Sequence, residues 1–443
     1  MRAYRFLFAF MAVLLLVAPA RADIREVTSR GGIKAWLVED KSLPLVSLTL
    51  SFEGGSALDP AGKEGRATLL AAMLDEGAGE LDSKAFQSAL AERSISLSFA
   101  ADEDSLGGVL KTLSSEKANA FALLRLALHS PRFDVDALSR MRDSLIANRQ
   151  MNLSDPDWIA GQAFEQVAMG THPYGRAAEG TLTSLRALGR DDLLAAKTQH
   201  LVRSRLKIAV VGDMTASELA VVLDQVFADL PQGPDKVDLL RLQLDGAGTT
   251  TLVRRDQPQT VIMAGMPGLL REDPDWFTAL IANYVLGGDF QSRLMNEVRI
   301  KRGLTYGINT ALVPYRAGGV LYAMASSDNA KVAEVLQLLR AELGKMSKAG
   351  ITDSELNEAK TYLTGSFALR FSSSDRIASV LLEIQRLGLP PSYVFNRAKE
   401  IDKVTRADVA RVAEQLMQPD KLTVVIVGNP EGIEATRTMS VDP

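Results

Sequence analysis

An arginine late in a helix and a tyrosine early in the following strand can converge on one point, and Arg299 and Tyr306 are spaced to do so. The stretch 287–306, GGDFQSRLMNEVRIKRGLTY, opens on Gly287 and Gly288 and reads as a charged helix carrying Arg293 and Arg299. It turns at Gly303 and enters a strand at Leu304. A fixed guanidinium and a phenolic donor can together hold a polarised carbonyl oxygen. The paired glycines would let backbone approach an extended peptide closely. The same letters also suit a solvated, salt-bridged helix ended by glycine, and Arg293 suits a structural acid as well as it suits peptide.

What positions this stretch is a chain of two similar halves. Leu206 to Met214 (LKIAVVGDM) and Leu422 to Pro430 (LTVVIVGNP) are short apolar strands closed by a Gly turn. At the same offset upstream, Arg190-Asp191-Asp192-Leu193 matches Arg406-Ala407-Asp408-Val409, and Gln199 matches Gln415. Several matches in one register indicate tandem units of roughly two hundred residues. Alternating strands near 45–52 and 95–101, with helical stretches near 64–75, 135–152 and 158–169, give the order of elements in the first unit. The class is α+β, each unit a mostly antiparallel sheet covered on one face by helices. The expected boundaries are 23–229 and 249–443, joined by a Pro/Gly-rich link over 230–248, as in a clamshell with a cavity between its halves.

The first 22 residues read as a secretory signal. Arg2 and Arg5 precede the apolar run 6–17, and Ala20-Arg21-Ala22 is a small-residue cleavage site. A bacterial periplasm is the expected destination. The chain of 443 residues carries a net charge of −4 and no basic run, which argues against nucleic acid or an anionic membrane as partner. It contains no Cys, which excludes thiol catalysis and thiolate metal sites. The three histidines, His129, His172 and His200, are too far apart to form a local ligand pair. Ser114-Ser115-Glu116-Lys117 has the Ser-x-x-Lys spacing of penicillin-binding enzymes. It falls where a helix should begin, and Ser114 or Ser115 reads as its N-cap.

Two further stretches, together with 287–306, carry a family resemblance. Gly55-Ser56, with Asp59-Pro60-Ala61-Gly62-Lys63-Glu64-Gly65 and the helix to Asp75, resembles the first motif of the pitrilysin/insulinase metallopeptidases, the inverted zincins that include the mitochondrial processing peptidases. His172-Pro173-Tyr174-Gly175-Arg176 is similar to a recurring loop of that family, and the stretch 287–306 fits as well. The family's zinc helix reads His-x-x-Glu-His, two ligands on one face with a Glu base between them. Here those positions are Thr68, Ala71 and Ala72, and Asn148 stands where a distal Glu completes the site.

In the resembling family, the C-terminal unit supplies an Arg and a Tyr seven residues apart to hold the substrate carbonyl. The resemblance carries those roles onto Arg299 and Tyr306, with Gly287, Gly288 and Arg293 as substrate-binding candidates. Some bacterial members divide zinc motif and Arg/Tyr pair between two chains. The resemblance therefore implies the non-zinc subunit of a heteromeric, exported zinc metallopeptidase acting on unfolded peptide. No cofactor is expected in this chain, and zinc is expected in a homologous partner bearing His-x-x-Glu-His. The alternative is a catalytically inactive structural or peptide-binding clamshell.

Overall fold

A computed structural model describes residues 23–441; the leader expected over 1–22 lies outside the described residues. Two six-stranded sheets dominate. The first runs β1-β2-β6-β3-β5-β4, with β1 Ile24–Thr28, β2 Lys34–Glu39, β3 Leu45–Glu53, β4 Ser96–Ala101, β5 Ser105–Leu113 and β6 Leu206–Gly212. The second runs β12-β7-β11-β8-β10-β9, with β7 Thr250–Arg254, β8 Gln259–Pro267, β9 Thr305–Tyr315, β10 Gly318–Asp328, β11 Thr423–Gly428 and β12 Arg437–Thr438. The repeated LKIAVVG and LTVVIVG segments are the inner strands β6 and β11. β6 pairs parallel with β2 and antiparallel with β3, and β11 pairs parallel with β7 and antiparallel with β8. A strand covered on both faces reads as a continuous apolar run, and β11 is buried throughout.

Each sheet packs one face on helices of its own unit, forming two large cores. Leu48, Leu70 and Phe86 belong to the first, and Ile262, Leu286 and Leu339 to the second. The opposite faces depart from the sequence expectation of sheets covered on one side. The helix Pro156–Met169 of the first unit lays Ile159, Ala163 and Phe164 on Val261, Val425 and Tyr322 of the second sheet. Reciprocally, the helix Ser374–Arg386 lays Ala378, Leu381 and Ile384 on Trp36, Val38 and Val211 of the first. Thr49 Oγ1 donates to the Ala378 carbonyl at 3.1 Å, and Gln385 Nε2 donates to the Ile208 carbonyl at 2.9 Å. Lys111 meets Asp375 at 2.6 Å and Arg386 meets Asp102 at 2.8 Å. The two halves thus exchange one helix each.

The segment 230–248 is tied down along its length. Leu242 N–H donates to the Ala317 carbonyl at 2.8 Å, and Val237 N–H donates to Glu53 at 3.2 Å. Arg316, in the β9–β10 turn, pairs with the same Glu53. Its backbone N–H reaches Asp104 of the first unit at 2.9 Å, and Asp104 also accepts from the Tyr174 hydroxyl.

Candidate functional site

The loop resembling the family's first motif is a scaffold for the helix Arg66–Met73. Gly65 opens it at φ +85°, where a Cβ would lie 2.8 Å from the Glu179 carbonyl oxygen, so only glycine fits. The buried Asp59 carboxylate accepts from Ala67 N–H at 3.0 Å and faces Arg66 at 3.6 Å. Arg176 of the His-Pro-Tyr-Gly-Arg loop donates to the Asp59 carbonyl at 2.5 Å. Both motifs therefore brace the start of this helix.

The ligands are different. Thr68 donates its hydroxyl to the Ala178 carbonyl at 3.1 Å, and Ala71 and Ala72 present methyl groups. Such a donor set does not fit zinc, which takes imidazole, carboxylate or thiolate ligands. The helix Val135–Asn152 leaves Asn148 exposed and turns the next residue inward. That residue, Arg149, is 3 % exposed and stacks on Trp158 at 5.1 Å. A cation rather than an acid thus faces the interior at this level of the helix.

Every histidine is engaged with backbone. His129 Nε2 meets the Val226 carbonyl at 2.8 Å, His172 Nε2 meets the Leu240 carbonyl at 2.9 Å, and His200 Nδ1 meets the Gly54 carbonyl. Burial pushes His200 down to about 4, so it stays neutral at physiological pH. The Ser-x-x-Lys segment is a structural turn, although neither serine caps the helix as expected. The residues Ser114–Glu116 form a 3₁₀ turn, and the helix Lys117–His129 starts without a side-chain cap. Lys117 is turned toward the Asp213 carbonyl at 3.0 Å and Glu218 at 3.4 Å.

The second unit builds a different surface. The helix Trp276–Asn283 widens into a π-helical turn, Tyr284–Gly288, and a second π segment spans Met295–Ile300. Such widened turns recur at functional sites. Gly303, at φ +61°, ends the helix with its N–H on the Arg299 carbonyl at 2.9 Å. In β9, Tyr306 and Gly307 together stand opposite Ser326, because the register shifts between Ala325 and Ser327. This is a β-bulge, a device that re-aims a side chain. Tyr306 is 79 % exposed on it.

Arg299 and Tyr306 line one cleft of about 740 Å³, together with Gly287, Gly288, Phe290 and Asp157. The Arg299 guanidinium lies 5.1 Å above the Phe290 ring and forms no ion pair or hydrogen bond with any described residue. Its neighbours are occupied. Lys301 and Arg302 both pair with Glu297, whose carboxyl they pull down to about 2. Arg293, expected to bind substrate, instead makes a two-pronged contact with Glu355 at 2.6 and 2.7 Å and does not line the cleft. Replacing Arg293 by alanine should lower stability by about 1–3 kcal/mol in urea unfolding and leave peptide binding unchanged. A selective loss of peptide binding would contradict this structural role.

Gly287 lines the cleft and also packs tightly against β9. A Cβ there would sit 2.7 Å from Thr310 Oγ1 and 2.9 Å from Thr310 N. Its small size serves the contact of the π turn with β9. Gly288 is exposed at the cleft. Phe290 and Asp157 were not singled out from sequence. Phe290 is an exposed aromatic directly after the glycine pair, a usable signal. Asp157 comes from the first unit, and no local pattern links it to residues 287–306.

Between the sheets, Glu165 lies near Glu103 and Glu179, and burial first, then those two charges, push its carboxyl up to about 8. An acid raised in this way is protonated when folded and ionised when unfolded between roughly pH 4.5 and 8. Stability must then fall as pH rises through that window. Glu165→Gln should flatten the dependence and unfold at higher urea than wild type above pH 8, with little difference below pH 4.5. Parallel pH profiles of the two proteins would refute the assignment.

Residues 187–363 match the family model described as the peptidase M16 inactive domain. The chain is 26 % identical over 430 residues to a non-peptidase homolog, YmxG, of Helicobacter pylori, covering 96 % of this chain and 98 % of that protein. It is 27 % identical over 308 residues, 69 % of each chain, to an uncharacterized zinc protease of Mycobacterium leprae. The crystal structure of a peptidase M16 inactive domain from Pseudomonas fluorescens superposes with a TM-score of 0.86 at 28 % identity, covering 95 % of this chain and all of that one.

Proposed function

From the premise that this chain belongs to the M16 peptidase family, we propose that it is the non-zinc subunit of a two-chain exported peptidase. The observation that carries the reading is Arg299, a cleft guanidinium without an acidic partner, beside the outward-turned hydroxyl of Tyr306. The zinc positions of the same chain hold Thr68, Ala71 and Ala72. The expected partner is a homologous chain with a His-x-x-Glu-His helix, and the expected substrate is an unfolded peptide.

In the assembled enzyme, zinc held by the partner would supply the activated water. This chain's part is electrostatic. Arg299 N–H groups and the Tyr306 O–H donate to the substrate carbonyl oxygen, and both contacts strengthen as negative charge develops there. Phe290 holds the guanidinium by its face and leaves the N–H edge free. Asp157 closes the cleft from the first unit.

The test is reconstitution. The chain alone should be inert toward unfolded peptides. Mixed with an exported homologue from the same host that carries the zinc motif, it should support chelator-sensitive cleavage, with metal found only in the partner. Chelator-sensitive cleavage by the purified chain alone would overturn the reading. A second reading, a peptide-binding clamshell without catalysis, draws on the name of the Helicobacter relative as a non-peptidase homolog. It is favoured if no zinc-bearing homologue co-purifies and peptide still binds.

A further inference from the structure

Two arginines are buried together in the second unit, away from the cleft. Arg271, 8 % exposed, has its guanidinium carbon 5.1 Å from the Trp276 ring, 5.1 Å from Phe277 and 4.9 Å from Tyr393. Arg397, 9 % exposed, lies 6.0 Å from the same Phe277 ring and 4.6 Å from Phe367. Arg397 donates to the Leu363 carbonyl at 2.6 Å. Arg271 makes no ion pair among the described residues, and its Nη2 is buried with no hydrogen-bond partner.

The nearby acids are engaged elsewhere or exposed. Asp275 holds Arg411 through two contacts of 2.6 and 2.8 Å, and Asp273 accepts from Asp275 N–H at 2.8 Å. Glu383 pairs with Arg370, and Glu272 is exposed. Burial and the charges of Arg271 and Arg370 push the Arg397 guanidinium down from its ordinary value. The rings stabilise the flat faces of the cations, and at Arg271 they leave the Nη2 edge unserved. Two like charges buried without an anion are costly, because desolvation is not offset by a counter-charge. The helices Trp276–Asn283 and Tyr393–Lys403 also begin at cage residues, so the partial positive charges of their N-termini add to the field.

We propose that the Arg271 edge, inside the cage of Trp276, Phe277 and Tyr393, is an oxyanion-binding site for a carboxylate or phosphate group. It is independent of the peptidase reading. One bound oxyanion would accept from Arg271 Nη2 in a charge-assisted hydrogen bond and neutralise part of the paired positive charge.

The test is thermal unfolding of the intact chain at constant ionic strength in chloride, acetate or inorganic phosphate, for wild type and Arg271→Met. Wild type should gain about 1–2 °C in Tm in acetate or phosphate near ten times the dissociation constant, and the anion that acts identifies the source. The variant should show no such gain, and in chloride it should unfold no lower than wild type. Equal wild-type Tm in all three salts overturns the proposal, as does an equal gain in the variant, which is a general salt effect. If Arg271→Met does not fold, calorimetric titration of wild type decides. Saturation near one equivalent supports the site, and absence of saturable binding overturns it.

Discussion

Replacing Arg299 by alanine should lower turnover of the reconstituted two-chain peptidase about a hundredfold or more, the usual cost of removing a preorganised donor to a developing oxyanion. The loss should fall on kcat and on kcat/KM alike, because the interaction is made mainly in the transition state. The expectation is large because Arg299 is held by a ring face and not by a carboxylate. Its N–H edge needs no prior ion pair to break. Tyr306→Phe removes only a hydroxyl from an exposed side chain, so a comparable loss in turnover would come without a change in folding. Arg302→Ala is the matched control, since that cation is already committed to Glu297. Steady-state kinetics on the mixed chains check all three. Unchanged turnover in the Arg299 and Tyr306 variants removes the assignment, and an equal loss in the Arg302 variant shows that the effect is general charge.

Phe164→Ala should cost about 3–5 kcal/mol of stability, the range for deleting a fully buried aromatic side chain. The site has little means to collapse. Phe164 is fully buried and packs on Tyr322 at 5.3 Å. A Cβ on Gly265 of β8 would lie 2.5 Å from its ring tip, so the opposing strand is already at closest approach. The helix that carries Phe164 belongs to the first unit by sequence and to the core of the second by contact. The variant should therefore lower the unfolding of both units together. Urea titrations followed by circular dichroism and by tryptophan emission test this, the emission taken in a Trp158→Phe, Trp276→Phe background so that Trp36 in the reciprocal patch reports the other sheet. Two separated transitions in wild type, or a shift confined to one probe in the variant, would show that the exchanged helices do not couple the halves.

Some of this architecture is legible in sequence. β6 and β11 are readable because inner strands covered on both faces must be apolar at every position. The loss of zinc ligands is readable because three functional positions fall on one short helix. The helix exchange is not readable in the same way. The apolar positions of Pro156–Met169 show that it is buried, and nothing local says in which sheet. Arg293 and Arg299 are the same residue type on one helix. Only the position of Glu355, far along the chain, separates the ion-paired arginine from the free one. The π turns are invisible to a reading based on a period of 3.6, since each widens the helix by a single hydrogen-bond shift. Asp157 enters the cleft by topology alone.

The bulge in β9 has a consequence that is a matter of parity. In a regular strand, residues of like parity share a face, and Ile308 and Thr310 are both buried. Position 306 would then point inward with them, placing a phenol in the core. One additional residue opposite Ser326 resets the count, so Thr305 takes the inward place and Tyr306 turns out. Whether this chain offers a hydroxyl to a peptide thus depends on which side of the tyrosine a residue is lost. A homologue lacking Thr305, regularly paired, would keep the tyrosine in its sequence and turn it inward, whereas one lacking Gly307 would keep it outward beside the inward Ile308.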